Sequence, residues 1–388
     1  MHTKYFFSIL TALSLLTTPL VSSNAQAQPP HNPKHFHKIM VVIFENMSYA
    51  EIKNEPTFKK LVEYSGYSLD TNGKLVKLSQ QTPSKDVASN GYAFFSNYYN
   101  NYTGGTIPTR PSQPNYIAMT SGSIQNVFDN ANHDLQVDNL AAELIDANIT
   151  WKVYAEDLPD LGQDSLTSHC FTAPSYPSDH GYQRKHEPLI SYVNIQKNED
   201  SCKKIVNSRH LFEDMHNLPE VAFYIPNQIN DGHDGSLAER VANANAFLST
   251  MMGTNPKTGE PLPESAKAPF QRLMSQGGLL VITFDEPSTT GNSDKTIYTL
   301  LAGKMIHSGA YPDRSGNNSP TCYPLTSEQT KYPADQNGTY ERYQCNNYNL
   351  LKMIEDNWQL RGLNPINTSA GYKYALPLDN GLSHLWND

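Results

Sequence analysis

An α/β fold with a mostly parallel central sheet and helices on both faces is what this sequence predicts, and three observations predict it. Continuous apolar, β-branched runs recur along the chain, as in KIMVVIF at 38–44, VAFYI at 221–225 and GLLVITF at 278–284. Such runs belong to strands buried on both faces, which parallel sheets require. Amphipathic helical patterns alternate with them, and no linker-like break divides the chain.

In chain order, the run at 38–44 is followed by a helical pattern that Pro56 opens and Phe58, Leu61 and Val62 continue. Residues 92–99 read as an aromatic strand, and a Gly/Pro/Thr loop then delivers Ser112. Leu140, Ala141, Leu144 and Ile145 mark a helix, and ITWKVYA at 149–155 marks the next strand. From Glu156 to Val206 the chain is polar and irregular, too long for a plain connection, which predicts an excursion over the active face. A short helix at 211–215, the strand at 221–225 and an alanine-rich helix at 237–251 follow. After the strand at 278–284, IYTLLA at 297–302 reads as its neighbour, and 348–360 as a closing helix with Leu350, Leu351, Ile354 and Trp358 on one side.

The 388 residues hold 38% apolar residues and a formal net charge of −9. This excludes a polytopic membrane protein and argues against nucleic acid as a partner, since phosphate neutralisation needs a basic surface. The N-terminus carries Lys4, an apolar stretch to Val21 and Ala25-Gln26-Ala27, the pattern of a signal peptide over 1–27. The expectation is a secreted or periplasmic protein whose mature chain, 28–388, is one domain, with at most peripheral membrane contact. His35 and its histidine neighbours read as an exposed arm. In an oxidising compartment Cys170, Cys202, Cys322 and Cys345 form disulfides; three pairings are open, and Cys170 with Cys202 and Cys322 with Cys345 closes the shortest loops.

Polar clusters follow the apolar runs. Glu45-Asn46 ends the first, Asn230-Asp231-Gly232-His233-Asp234 lies beyond the one at 221–225, and Asp285-Glu286 ends the third. The carboxyl edge of an open parallel sheet is where ligands bind, so the three clusters are expected to converge there. Carboxylates that close need a cation, and Glu45, Asn46, Asp285 and Glu286 offer the oxygen ligands a hard divalent ion takes. Ser112 stands where a helical pattern begins. It reads either as a helix cap or as a nucleophile beside free helix N–H groups.

Several segments carry a resemblance: FENMSYAEI at 44–52, PSQPNYIAMTSG at 111–122, WKVYAEDLP at 151–159, YQRKHEPL at 182–189, YIPNQINDGHDG at 224–235, TFDE at 283–286 and YNLLKMIED at 348–356. In order and in content they resemble the phosphoesterase family of bacterial phospholipases C and secreted acid phosphatases, within the alkaline phosphatase superfamily. The resemblance implies a three-layer αβα, alkaline-phosphatase-like domain with long loops over the carboxyl edge. It implies Ser112 as nucleophile and metal ligand, with Glu45, Asn46, Asp285 and Glu286 as the other ligands. Asn115 and Lys185 then contact the phosphate with Asp231, and His186 and His233 move protons; Arg110, where many relatives have histidine, either binds a phosphate oxygen bidentately or packs the loop.

Relatives commonly place histidine where this chain has Asn347, a poorer ligand. The expectation is therefore one divalent ion held mainly by oxygens, whether calcium, magnesium, manganese or zinc. The expected function is a metal-dependent acid phosphatase hydrolysing phosphate monoesters, phosphoinositides included, through a phosphoserine; the substrate is a phosphorylated small molecule or lipid headgroup. A phospholipase C acting on phosphodiesters, and a non-catalytic lipid- or surface-binding protein on the same fold, are the alternatives. The chain's end soon after the closing helix favours the first, because family phospholipases C usually add C-terminal domains.

Overall fold

In the computed structural model, strand β1 (Lys38–Phe44) lies near the middle of an eight-stranded sheet. The other members are β2 (Gly91–Phe95), β3 (Trp151–Ala155), β4 (Ile205–Asn207), β5 (Val221–Ile225), β6 (Gly278–Phe284), β7 (Thr299–Gly303) and β8 (Gly309–Tyr311). Their order is β4-β3-β5-β1-β6-β7-β2-β8. Only β7 runs against the rest. The structure describes residues 32–69, 75–79, 90–99, 102–103, 107–108, 110–160, 170–288, 296–311, 322–323, 331–333, 339–341 and 344–387. The expected signal peptide at 1–27 lies outside them, and residues 32–388 form one compact unit.

Every residue of β5 and β6 is buried, as is all of β1 but Lys38. That is the burial their unbroken apolar sequences predict, and it needs helices on both sides. Two groups of helices supply it. In one, α1 (Pro56–Tyr64) packs on α4 (Leu237–Met252), which packs on α5 (Pro269–Ser275). In the other, α2 (Ser112–Ser121) packs on α3 (Leu140–Asp146) and on α6 (Asn347–Trp358). Proline at the first turn opens α1 and α5, where a missing N–H costs nothing. A capping box between Ser236 and Glu239 opens α4, and Gly253 in the left-handed region closes it.

Three expectations change. Helix α6 is buried on nearly all sides, including Asn347, Asn349 and Asn357, because it is wedged against α2 and the C-terminal segment. The excursion at 156–206 is not free of structure: its end forms edge strand β4, a three-residue strand too short to show a period. His35 is not on a free arm, since its ring stacks on Trp386 at 4.6 Å. Both disulfides join the local partners, Cys170 with Cys202 and Cys322 with Cys345.

Candidate active site

Register brings the polar clusters together. Phe44 pairs with Phe284 across β1 and β6, and Val42 with Tyr224 across β1 and β5. The residues that follow therefore leave three adjacent strands at one edge. Backbone bonds lock the exits: Glu45 N–H donates to the Asp231 carbonyl, and Asp285 N–H to the Phe44 carbonyl. Asn46 adopts φ 47°, a left-handed conformation that asparagine tolerates better than most residues, and its N–H donates to Asp285 Oδ1 at 3.0 Å.

Four carboxylates, Glu45, Asp231, Asp285 and Glu286, are buried here, none more than 3% exposed. Burial pushes all four up, joined by repulsion from neighbouring carboxylates at Glu45, Asp231 and Glu286: Asp285 to about 6, Glu286 to about 9, and Glu45 and Asp231 well above the ordinary carboxylate range. Asp231 Oδ2, Asp285 Oδ2, Glu286 Oε2 and His186 Nε2 are buried without a hydrogen-bond partner. Buried carboxylates that repel one another are groups that a bound cation satisfies. Glu45, His186 and His233 also bring ligand atoms within 4.8 Å of one another, a group able to hold a metal ion.

Ser112 reaches this cluster from α2. It is the first residue of the helix and not its cap, a position Pro111 holds. Its Oγ donates to Glu45 Oε2 at 2.8 Å. The reading of Ser112 as a plain cap therefore fails, because its hydroxyl serves a distant carboxylate. The expected open helix N-terminus fails in part as well: Gln113 N–H is taken by Asn130 Oδ1, and Pro114 has no N–H. Asn115 is fully buried on the same turn, within reach of Glu286.

His186 stands between two carboxylates, with Nε2 3.4 Å from Glu45 Oε1 and Nδ1 3.6 Å from Asp231 Oδ2. Burial, then Lys185 and His233, holds its pKa well below the usual imidazole value. His233 is less enclosed, its side chain 28% exposed, with Nδ1 2.7 Å from Asp234 Oδ1; burial lowers its pKa as well. Asp234 also pairs with His180. Lys185 is half-buried and close enough to act on Asp231, Glu286 and both histidines.

Asp231 and Arg110 both have partners within the protein. Asp231 is one of the buried carboxylates, its Oδ2 3.6 Å from His186 Nδ1. Arg110 donates Nη2 to the Pro287 and Ser288 carbonyls and lies 3.8 Å from Glu286, bracing the turn after β6. Asn347 accepts a hydrogen bond from Tyr98 at 2.9 Å inside the core. Tyr116 and Asp234 were not among the expected site residues. The signal for Tyr116 is its place one helical turn after Ser112, and for Asp234 its adjacency to His233.

Residues 77–260 match the model of the Phosphoesterase family, a span that holds Ser112, Lys185, His186, Asp231 and His233. An acid phosphatase of Aspergillus fumigatus is 30% identical over 55% of this chain and 43% of its own. A phosphatidylinositol-3-phosphatase of Mycobacterium tuberculosis is 31% identical over 52% of this chain and 57% of its own. The chain thus spans about half the length of the curated relatives it matches. Among solved structures, one of a protein in the alkaline phosphatase superfamily from Vibrio parahaemolyticus covers 88% of this chain and 70% of that one, with 8% identity and a TM-score of 0.39. By the model match over residues 77–260, a little under half of the chain, and by these relatives, the chain is similar to the phosphoesterase family.

Proposed function

We propose that this chain is an exported, metal-dependent phosphomonoesterase of the acid phosphatase type that works through a phosphoserine at Ser112. The observation that carries the reading is the Ser112 hydroxyl, 2.8 Å from Glu45 within a buried carboxylate cluster. The names of the relatives, acid phosphatase and phosphatidylinositol-3-phosphatase, support a monoester as substrate, with phosphoinositide headgroups among the candidates.

Glu45, Asn46, Asp285 and Glu286 would hold a divalent ion, with Ser112 and His186 beside it. Such an ion supplies positive charge that favours a serine alkoxide and neutralises charge on the phosphoryl oxygens. The chain's own groups do the rest. Ser112 Oγ forms a bond to phosphorus while the bond to the alcohol oxygen breaks. Because the helix N-terminus is largely spent, Lys185 and Asn115 carry more of the binding of phosphoryl oxygens. His233, nearer solvent and held at Nδ1 by Asp234, gives a proton to the leaving oxygen and then takes one from the water that cleaves the phosphoserine. The neutral, enclosed His186 orders Glu45 and Asp231.

The test sets p-nitrophenyl phosphate beside p-nitrophenyl phosphorylcholine. Preferential hydrolysis of the monoester is expected. Preference for the diester would replace the reading by a phospholipase C, and turnover of neither would leave a binding protein. Export, with the signal peptide at 1–27 removed, is checked by N-terminal sequencing of the mature protein, which should begin near Gln28. Among the described residues no helix is long and apolar enough to cross a membrane.

A further inference from the structure

Helix α2 meets the site twice. Tyr116 lies four residues after Ser112, one turn along, so both hydroxyls leave the same face. Ser112 Oγ takes Glu45 Oε2 at 2.8 Å, and Tyr116 Oη donates to Glu45 Oε1 at 2.6 Å. One helix therefore grips both oxygens of one carboxylate, which fixes the rotation of the carboxylate plane.

The Tyr116 ring has a second contact. It stacks on His186 with centroids 5.5 Å apart and planes 17° from parallel. His186 Nε2 approaches the same Glu45 Oε1 at 3.4 Å, so phenol, imidazole and carboxylate meet at one oxygen. Tyr116 and His186 are each 1% exposed and Glu45 is 0% exposed. In so dry a place each group can turn only if its neighbours turn with it.

We propose that Tyr116 is a positioning residue, whose phenol and ring together set the orientation of Glu45 and His186 toward the cation and the phosphate. This rests on the reading of the site as a phosphatase. A tyrosine that only fills the core would affect stability alone. One that orients a ligand alters metal affinity and turnover, typically by ten- to a hundredfold.

The test is Tyr116→Phe, which keeps the ring and removes the O–H. Manganese affinity of the metal-free protein is measured by calorimetry, kcat and KM on p-nitrophenyl phosphate by rate, and folding by thermal unfolding. The expected result is a manganese Kd weakened about ten- to a hundredfold and a comparable fall in kcat, with KM within about twofold. A variant within about twofold of wild type in both Kd and kcat overturns the proposal. If the wild type binds manganese but turns over no phosphate ester, the phosphatase reading fails and Tyr116 is judged on Kd alone. If Tyr116→Phe does not fold, the Oη–H proton of the wild type is followed by NMR. A slowly exchanging resonance that shifts on adding magnesium supports the role, and its absence or indifference to magnesium overturns it.

Discussion

Ser112 Oγ and Glu45 Oε2, separated by 67 residues in sequence, lie 2.8 Å apart at the carboxyl edge of the sheet. Neither residue is reactive alone. A serine hydroxyl is a weak nucleophile, and a buried glutamate is a costly anion, unless a cation lies beside both.

Metal removal should therefore show in stability as well as in rate. Asp285 and Glu286 are raised, to about 6 and about 9, so without a cation their contribution is full below the unfolded carboxylate value of about 4 and is lost as pH rises through the folded values. A bound divalent ion favours the ionised forms and opposes that loss. Melting temperature measured across acid to alkaline pH should fall with rising pH in chelator and hold much flatter in manganese. Parallel curves would contradict a cation at this cluster.

A second buried acid lies away from the site. Glu143 on α3 faces Glu355 on α6, and burial followed by repulsion from Glu355 pushes it up to about 9. Glu355 is held by Tyr372 Oη at 2.6 Å and Lys352 Nζ at 3.0 Å, so Glu143 is the member that keeps a proton. The helix contact is then intact in acid and weakens as pH rises toward about 9. Glu143→Gln, which cannot ionise, should be near wild type at pH 5 and more stable by about 1 kcal/mol at alkaline pH. Urea unfolding at both pH values checks this, and an equal shift at both would speak against a proton held on Glu143.

The rate should favour acid. If His233 must be protonated to release the alcohol, its lowered pKa places the falling limb of the pH–rate profile below about 6.5. Steady-state rates across pH decide it. An optimum on the alkaline side would remove His233 as the acid.

Cys322 and Cys345 tie the segment before α6 to the loop at 322–323, close to Tyr98 and Asn347. Replacing both by serine should cost roughly 3 kcal/mol, read from denaturant unfolding. A cost near zero would mean that the core around α6 holds that loop unaided.

Much of this was legible in the sequence because the relevant physics is local. KIMVVIF, VAFYI and GLLVITF could only be doubly buried strands, and parallel strands with polar exits put Glu45, Asp231 and Asp285 on one edge. What was not legible depends on register and on competition for donors. Nothing local says that Asn130 takes the Gln113 N–H, that Asp231 faces inward to His186, or that Arg110 is spent on the carbonyls of 287 and 288. The Tyr116 hydroxyl is a site group only because α2 approaches Glu45 along its first full turn.

The central claim is that Ser112 carries the phosphoryl group, and trapping that intermediate tests it most directly. Protein quenched in acid during turnover of p-nitrophenyl phosphate is digested and its peptides are sequenced by mass spectrometry, with Ser112→Ala as control. The account predicts a phosphoryl group on Ser112 and, in the control, no label and a rate lower by about a thousandfold or more at unchanged melting temperature. A label on another residue, or full turnover in Ser112→Ala, would contradict it.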